Sequence, residues 1–107
     1  MKASDFIQQE MPILAEKLEG YLAQQIPHTD IQKHIDEIFL SWEHVETHES
    51  DPYAIGENEF WCAVWAAQHL ASKDHWADGV AQRELGILQK VLIGKALLPV
   101  GYEGKRP

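Results

Sequence analysis

The hydrophobic positions of the chain recur at helical spacing in several segments. In the first segment, successive apolar residues lie alternately four and three positions apart. This spacing places them on one face of an α-helix, whereas a strand would alternate at every second residue. The pattern predicts a first helix capped by Ser4 and bent or broken near Pro12, because proline cannot continue the backbone hydrogen bonds. The positions of this stripe are Ile7, Met11, Leu14, Leu18 and Tyr21.

The same spacing continues after Pro27, where the stripe extends from Ile31 to Val45. The preceding Thr29 and the following Gln32 have the spacing of a capping box, in which each side chain satisfies a backbone amide at the start of a helix. We therefore predict a second helix that ends near Thr47. Residues 49–56 contain Asp-Pro and a terminal glycine, which predict a loop.

The most apolar stretch of the chain is Asn58 to Ser72, which we expect to form the core helix of the fold with Asn58 as its cap. The run from Phe60 to Ala67 contains no polar side chain, and it is too short to cross a bilayer. Rotation by roughly 100° per residue gives this helix a bulky face and a small face. The bulky face carries Trp61, Val64, Trp65 and Gln68, and the small face carries Ala63, Ala66, Ala67 and Leu70.

A last helix is predicted from His75 to about Leu98, with Asp74 as its cap and Gly86 as a candidate break into two shorter helices. Four amphipathic segments in one short chain favour an all-α fold. We predict a small antiparallel bundle of four main helices within residues 1–98. Residues 99–107, rich in turn residues, form a C-terminal tail that is a strap across the bundle, a mobile end or a docking arm.

Length and composition limit the number of domains and the kinds of cross-link and metal site that this chain can have. A chain of 107 residues fits one domain, and no segment resembles an export signal or a membrane span. The single cysteine, Cys62, excludes an intramolecular disulfide and any zinc site built from several thiolates. We therefore expect a cytoplasmic protein in which Cys62 is a buried and unreactive side chain.

The net charge of −8 is unevenly distributed, with −11 in residues 1–78 and +3 in residues 79–107. Because an acidic surface repels phosphate groups, we expect no binding to nucleic acid, and a basic protein is the better partner. The acidic loop region, residues 43–59, contains no lysine or arginine and is either a solvated face or a docking patch. Its candidate partner-binding residues are Glu43, Glu46, Glu49, Asp51, Tyr53, Glu57 and Glu59.

Two histidines, His44 and His48, are one helical turn apart, which is the spacing of a metal clamp on a helix. Against this interpretation, the helical rotation turns them away from the apolar stripe, and Glu46 between them does not match the zinc-protease motif. Solvated histidines are the simpler interpretation, and we expect no cofactor.

A second candidate site is a small-molecule pocket beside the core tryptophans Trp61 and Trp65. Gln68 and His69 follow them along the helix and are expected to be its most inward-looking polar groups. A buried amide needs partners for both its donor and its acceptor, so Gln68 either contacts a ligand or marks the end of the core.

These residues form no motif that identifies a family, and none that supports an enzyme. Cys62 and His69 are about 10.5 Å apart along the helix axis, too far to act as nucleophile and base. The sequence favours a non-enzymatic interaction or regulatory module that binds a basic partner through the acidic loop region. The alternative is a small-molecule- or metal-binding bundle. Four tryptophans are many for so small a core, which also leaves a homodimer interface open.

Overall fold

The computed structural model describes residues 1–48, 50–71 and 79–107. In these residues the chain forms helices and no strands, as the apolar spacing predicted. Helices α1 and α3 each contact all of the other helices, which confirms the predicted four-helix bundle. The helices are α1 (Ala3–Leu22), α2 (His28–Trp42), α3 (Glu57–Leu70) and α4 (Gly79–Leu92).

Helix α1 is continuous through Pro12, so of the two predicted alternatives at this residue, a bend or a break, the break is wrong. The predicted cap is also wrong, because α1 begins at Ala3 and has no side-chain cap. At the other end the chain leaves the helix through Gln24, whose φ of 61° lies in the left-handed region. The amide of Gln25 then donates to the carbonyl of Gly20 at 2.8 Å, a closing bond typical of helix C-termini.

Helix α2 differs from its prediction at both ends. No side chain caps its first turn, and the side-chain amide of Gln32 instead donates to the backbone carbonyl of Ala71, at the end of α3, at 2.6 Å. The helix ends at Trp42 instead of Thr47. The amide of Glu46 donates to the carbonyl of Met1 at 2.8 Å, so the chain leaves α2 to pair with the N-terminal segment.

Helix α3 is the core helix, as the apolar run predicted. Phe60, Trp61, Ala63, Val64 and Ala67 are fully buried, so both its bulky and its small side pack against protein. Trp61 lies at the centre of an aromatic cluster, with its ring centroid 4.8 Å from that of Phe60. The cluster also contains Phe6 of α1 and Trp42 of α2, with the Trp42 centroid 4.9 Å from that of Trp61. Aromatic contacts thus join α1 and α2 to α3.

Helix α4 is described from Gly79, so the predicted cap Asp74 and the predicted start at His75 lie outside the described residues. The helix is continuous through Gly86, and the predicted break there is wrong. It ends at Leu92, because Gly94 has a φ of 77° and the amide of Lys95 closes the helix on the carbonyl of Lys90 at 2.9 Å. Residues 96–98, which the pattern placed in the helix, follow its end. Within the described residues, no helix has the length and apolarity that crossing a membrane requires.

Candidate functional site

The C-terminal tail lies as a strap along α3. The amide of Gly104 donates to the side-chain oxygen of Asn58 at 2.6 Å, and the indole N–H of Trp65 donates to the carbonyl of Lys105 at 2.6 Å. Gly104 is buried so close to α3 that a Cβ atom would lie 2.7 Å from the amide nitrogen of Cys62. Only glycine fits at this point of contact. Asn58 was predicted to cap α3, but its side chain binds the tail, and α3 begins one residue earlier.

Arg106, two residues further along, inserts its guanidinium into the acidic loop region. Its Nε–H and one Nη2–H donate to the two carboxylate oxygens of Glu57, at 2.5 Å and 2.9 Å. The remaining bonds go to backbone carbonyls, from Nη1 to His48 at 2.8 Å and Asp51 at 3.1 Å, and from Nη2 to Pro52 at 3.1 Å. An arginine carries five N–H donors, so every donor of Arg106 has an acceptor.

Glu57 is equally well satisfied on its side of the pair. Its Oε1 also accepts from the amide of Ala54 at 2.9 Å, and its Oε2 from the indole N–H of Trp61 at 2.9 Å. With the two bonds from Arg106, the carboxylate accepts four hydrogen bonds, which is its full capacity. Glu57 is 0% exposed, and the Arg106 side chain is 6% exposed. Burial raises the pKa of Glu57, but the bonds from Arg106, Ala54 and Trp61 outweigh burial, and the pKa lies below its ordinary value.

Two aromatic rings complete the surroundings of the guanidinium. The guanidinium carbon lies 4.6 Å from the ring centroid of Tyr53 and 5.8 Å from that of Trp42. Both distances are within the range of cation–π attraction. The Tyr53 hydroxyl also accepts the backbone N–H of Arg106 at 3.1 Å. We call this site the arginine cleft, formed by Trp42, Tyr53, Glu57 and the carbonyls of His48, Asp51 and Pro52.

A side chain of the loop itself holds the carbonyls in place. The Oδ2 of Asp51 accepts from the amide of His48 at 2.8 Å and from the hydroxyl of Thr47 at 3.2 Å. The bond from His48 is the main reason that the pKa of Asp51 lies below its ordinary value. Gly56, with a φ of 81°, then turns the chain into α3 and brings Glu57 into the first helical turn. A buried carboxylate is favoured at this helix end.

The structure separates the predicted partner-binding acids into different environments. Glu57 is buried against Arg106, so it is not part of the acidic surface. Glu43 and Glu46 are exposed, whereas Asp51 and Glu59 are half-buried. Tyr53 is 43% exposed and contacts Arg106, and Glu49 lies outside the described residues.

The two histidines proposed as a metal clamp do not lie on a helix, because α2 ends at Trp42. His44 and His48 are both exposed. No group of three histidine, cysteine, aspartate or glutamate side chains in the described part of the chain has metal-binding geometry. The helical spacing that suggested the clamp therefore does not apply here.

The residues proposed for a ligand pocket also separate. Trp61 is fully buried and donates a hydrogen bond to Glu57, while Trp65 is half-buried and donates a hydrogen bond to the tail. Gln68 and His69 are exposed, so the expectation that they face inward is wrong. They lie in the last turn of α3, between the fully buried Ala67 and Ala71. Cys62 is buried, and burial raises its thiol pKa.

A buried histidine lies between α1 and α2, away from the arginine cleft. His34 is 7% exposed, and its Nε2 has no hydrogen-bond partner. The Nε2 lies 3.9 Å from the carboxylate of Glu10, and Nδ1 lies 3.8 Å from that of Glu37. Burial is the main cause that lowers the pKa of His34, and burial also raises the pKa of Glu10.

Comparisons with known proteins leave the geometry as the sole basis for function, because no protein-family model, curated protein or solved structure matches this chain. The fold and the site define a four-helix bundle whose acidic loop region binds an arginine of its own tail.

Arg106, Asn58, Trp42 and Gly104 are site residues that the sequence pattern did not assign to a site. Arg106 is 49 positions from Glu57, and no local spacing connects the two. One signal was present, since Glu57 is a carboxylate directly before the most apolar stretch of the chain, where a buried acid needs a cationic partner. The excess of basic residues after position 79 indicated where that partner lies.

Proposed function

We propose that this protein is a non-enzymatic interaction module that binds a basic protein partner through the acidic loop region. The observation that supports the proposal is the arginine cleft itself. It supplies five acceptors and two aromatic rings to one guanidinium, an arrangement that discriminates arginine from lysine. A loop that holds an arginine in this way has the chemistry to recognise arginine in a partner.

The surface around the cleft supports the same function. Residues 43–59 contain six acids, and among those that the structure describes Glu57 is the one that forms an ion pair with Arg106. Glu43 and Glu46 are exposed, so they are free to attract a basic protein from a distance. Ile55 is 100% exposed in the same loop and offers an apolar contact beside the charges. Charge complementarity of this kind sets association rate and specificity.

The test uses a fluorescent oligo-arginine peptide as probe and a neutral Gly-Ser peptide as reference, with binding followed by anisotropy. Raising NaCl from about 50 mM to about 300 mM should weaken oligo-arginine binding steeply. The double substitution Glu43→Lys/Glu46→Lys should weaken it by about tenfold, since two attractive charges become repulsive.

The matched control is Glu16→Lys/Glu19→Lys, which changes the net charge equally at two exposed positions of α1. The control should retain most of the affinity of the wild-type chain. Equal losses in the two double variants would show attraction by net charge alone and would contradict a site in the acidic loop region. An affinity that does not depend on salt would contradict it as well.

The alternative, a small-molecule- or metal-binding bundle, stays a prediction that no observation on the described residues favours. Its candidate residues Gln68 and His69 are exposed, and Trp61 is fully engaged in the core.

A further inference from the structure

The tail segment 104–106 is bound in the manner of a peptide ligand. Along three consecutive residues, side chains of the bundle bind the amide of Gly104, the carbonyl of Lys105 and the amide of Arg106. Main-chain recognition of this kind fixes the course of the backbone without regard to most side chains. Asn58, Trp65 and Tyr53 supply these contacts from α3 and the loop before it.

Sequence selectivity enters at two of the three positions. The first position accepts only glycine, because any Cβ would collide with the backbone of α3 near Asn58 and Cys62. The third accepts arginine, whose five donors are all bonded in the arginine cleft. The middle residue, Lys105, is exposed and is not selected. The recognised pattern is therefore Gly-x-Arg.

None of these contacts depends on the covalent link between the segment and α4. Leu97 and Val100, which lie between α4 and the strap, are almost fully exposed, so these two side chains contribute little burial that release would cost. Beside Arg106 and Pro107 lies a cleft of about 370 Å³, bordered by Trp42, Thr47 and His48. This space leaves room for a longer segment to continue past the arginine.

From these observations we infer that the groove formed by Asn58, Trp65 and the arginine cleft recognises a Gly-x-Arg segment of a protein partner, and that residues 104–106 occupy it as an intramolecular competitor. This inference rests on the proposed function and adds to it the class of ligand and its regulation. A tethered competitor acts at an effective concentration in the millimolar range, so the wild-type chain should bind such a segment weakly. Release of the tail should raise the affinity.

The experiment measures binding of the acetylated and amidated peptide of residues 102–107, Tyr-Glu-Gly-Lys-Arg-Pro, by calorimetry. The full-length Arg106→Ala chain should bind this peptide about 100-fold more tightly than the wild-type chain does. Peptides that carry the equivalent of Gly104→Ala or Arg106→Lys should each bind the variant at least about tenfold more weakly than the parent peptide. Arg83→Ala, which removes an exposed arginine of α4, is the matched control and should bind as weakly as the wild-type chain.

Circular dichroism decides whether the Arg106→Ala chain is folded before the titration. If it is folded and binds the peptide no more tightly than the wild-type chain, or binds the Arg106→Lys peptide equally well, the inference is wrong. If it is unfolded, addition of the peptide should restore the helical signal. Failure of that rescue, when the milder Arg106→Lys chain is folded and also fails to bind, overturns the inference.

Sedimentation of the wild-type chain tests the other source of a Gly-x-Arg segment, a second copy. A dimer that Arg106→Ala abolishes would show tail exchange between copies and would overturn the assignment to a different partner. These results are separable from the proposed function. If peptide binding fails while oligo-arginine binding still depends on Glu43 and Glu46, the acidic loop region remains the binding surface and only the Gly-x-Arg inference is lost.

Discussion

Removal of the Arg106 side chain is expected to destabilise the fold, because it leaves a buried carboxylate without its ion-pair partner. In the Arg106→Ala chain, Glu57 keeps its bonds from Ala54 and Trp61 and loses both bonds from the guanidinium. The charge of Glu57 then has no cationic partner, and because Glu57 is fully buried, water does not readily replace that partner. Three backbone carbonyls of the loop also lose the donor that joins them.

Breaking a buried ion pair from one side costs about 3–5 kcal/mol. Arg106 lies near the surface, so water can enter the vacated cleft and solvate part of the exposed groups. We therefore expect the lower end of that range, about 3 kcal/mol, for Arg106→Ala. Arg106→Lys keeps the charge and loses the paired geometry, so its cost should be about half as large. The free energy of unfolding of a domain of this size is about 5–15 kcal/mol, so either loss is readily measured.

Urea denaturation followed by circular dichroism and tryptophan fluorescence measures these free energies. Arg83→Ala, the exposed arginine of α4, should change stability by less than about 0.5 kcal/mol. Adding Glu57→Gln to Arg106→Ala should recover part of the loss, because the uncompensated charge is removed. If Arg106→Ala costs less than about 1 kcal/mol at an unchanged m-value, the pair behaves as a surface ion pair and the reasoning is refuted.

Three further predictions concern pH and packing. The pKa of Glu57 lies below its ordinary value of 4.5, so the stabilisation from its ion pair should be present above about that pH and be lost as the pH falls through the lower folded pKa; acid denaturation should begin at a higher pH in Arg106→Ala. The pKa of His34 lies below its ordinary value of 6.5, so stability should fall as the pH drops from about 6.5 towards the folded pKa. His34→Phe should remove this pH dependence and raise stability by about 1 kcal/mol, because the buried Nε2 has no hydrogen-bond partner. An unchanged pH profile in this variant would contradict the assignment to His34. Gly104→Ala should lift the strap and destabilise the chain by about 2 kcal/mol, whereas the control Gly86→Ala, with open space at its Cβ position, should stabilise it by about 0.5–1 kcal/mol; thermal unfolding that shifts in the same direction for both would contradict the close contact at Gly104.

The sequence was sufficient for the helices and the core because their determinants are local. The four-three spacing in α1 and α2 specifies one buried face, and the uninterrupted apolar run of α3 specifies a helix that protein covers on most sides, in each case within a single segment. Burial of Phe60, Trp61 and Val64 agrees with that reasoning.

The helix ends and the site depend instead on contacts between distant segments. Gln32 and Asn58 are of residue types that cap helix N-termini and lie at suitable positions, but the side chain of each binds a segment more than thirty positions away. The spacing does not distinguish Glu57 from the other five acids of residues 43–59. A pattern of spacing cannot distinguish a solvated acid from a buried one whose partner lies 49 positions away. The position of Glu57 before the apolar run and the charge asymmetry between the two parts of the chain were the indications that these parts meet.

The most direct test of an arginine-recognising acidic loop compares two variants in one calorimetric titration with the peptide of residues 102–107. The Arg106→Ala chain should bind the peptide, and the Glu57→Gln/Arg106→Ala chain should bind it at least about tenfold more weakly, because the second lacks the carboxylate that pairs with the guanidinium. Equal binding by two folded variants would show that Glu57 does not recognise arginine and would contradict the account.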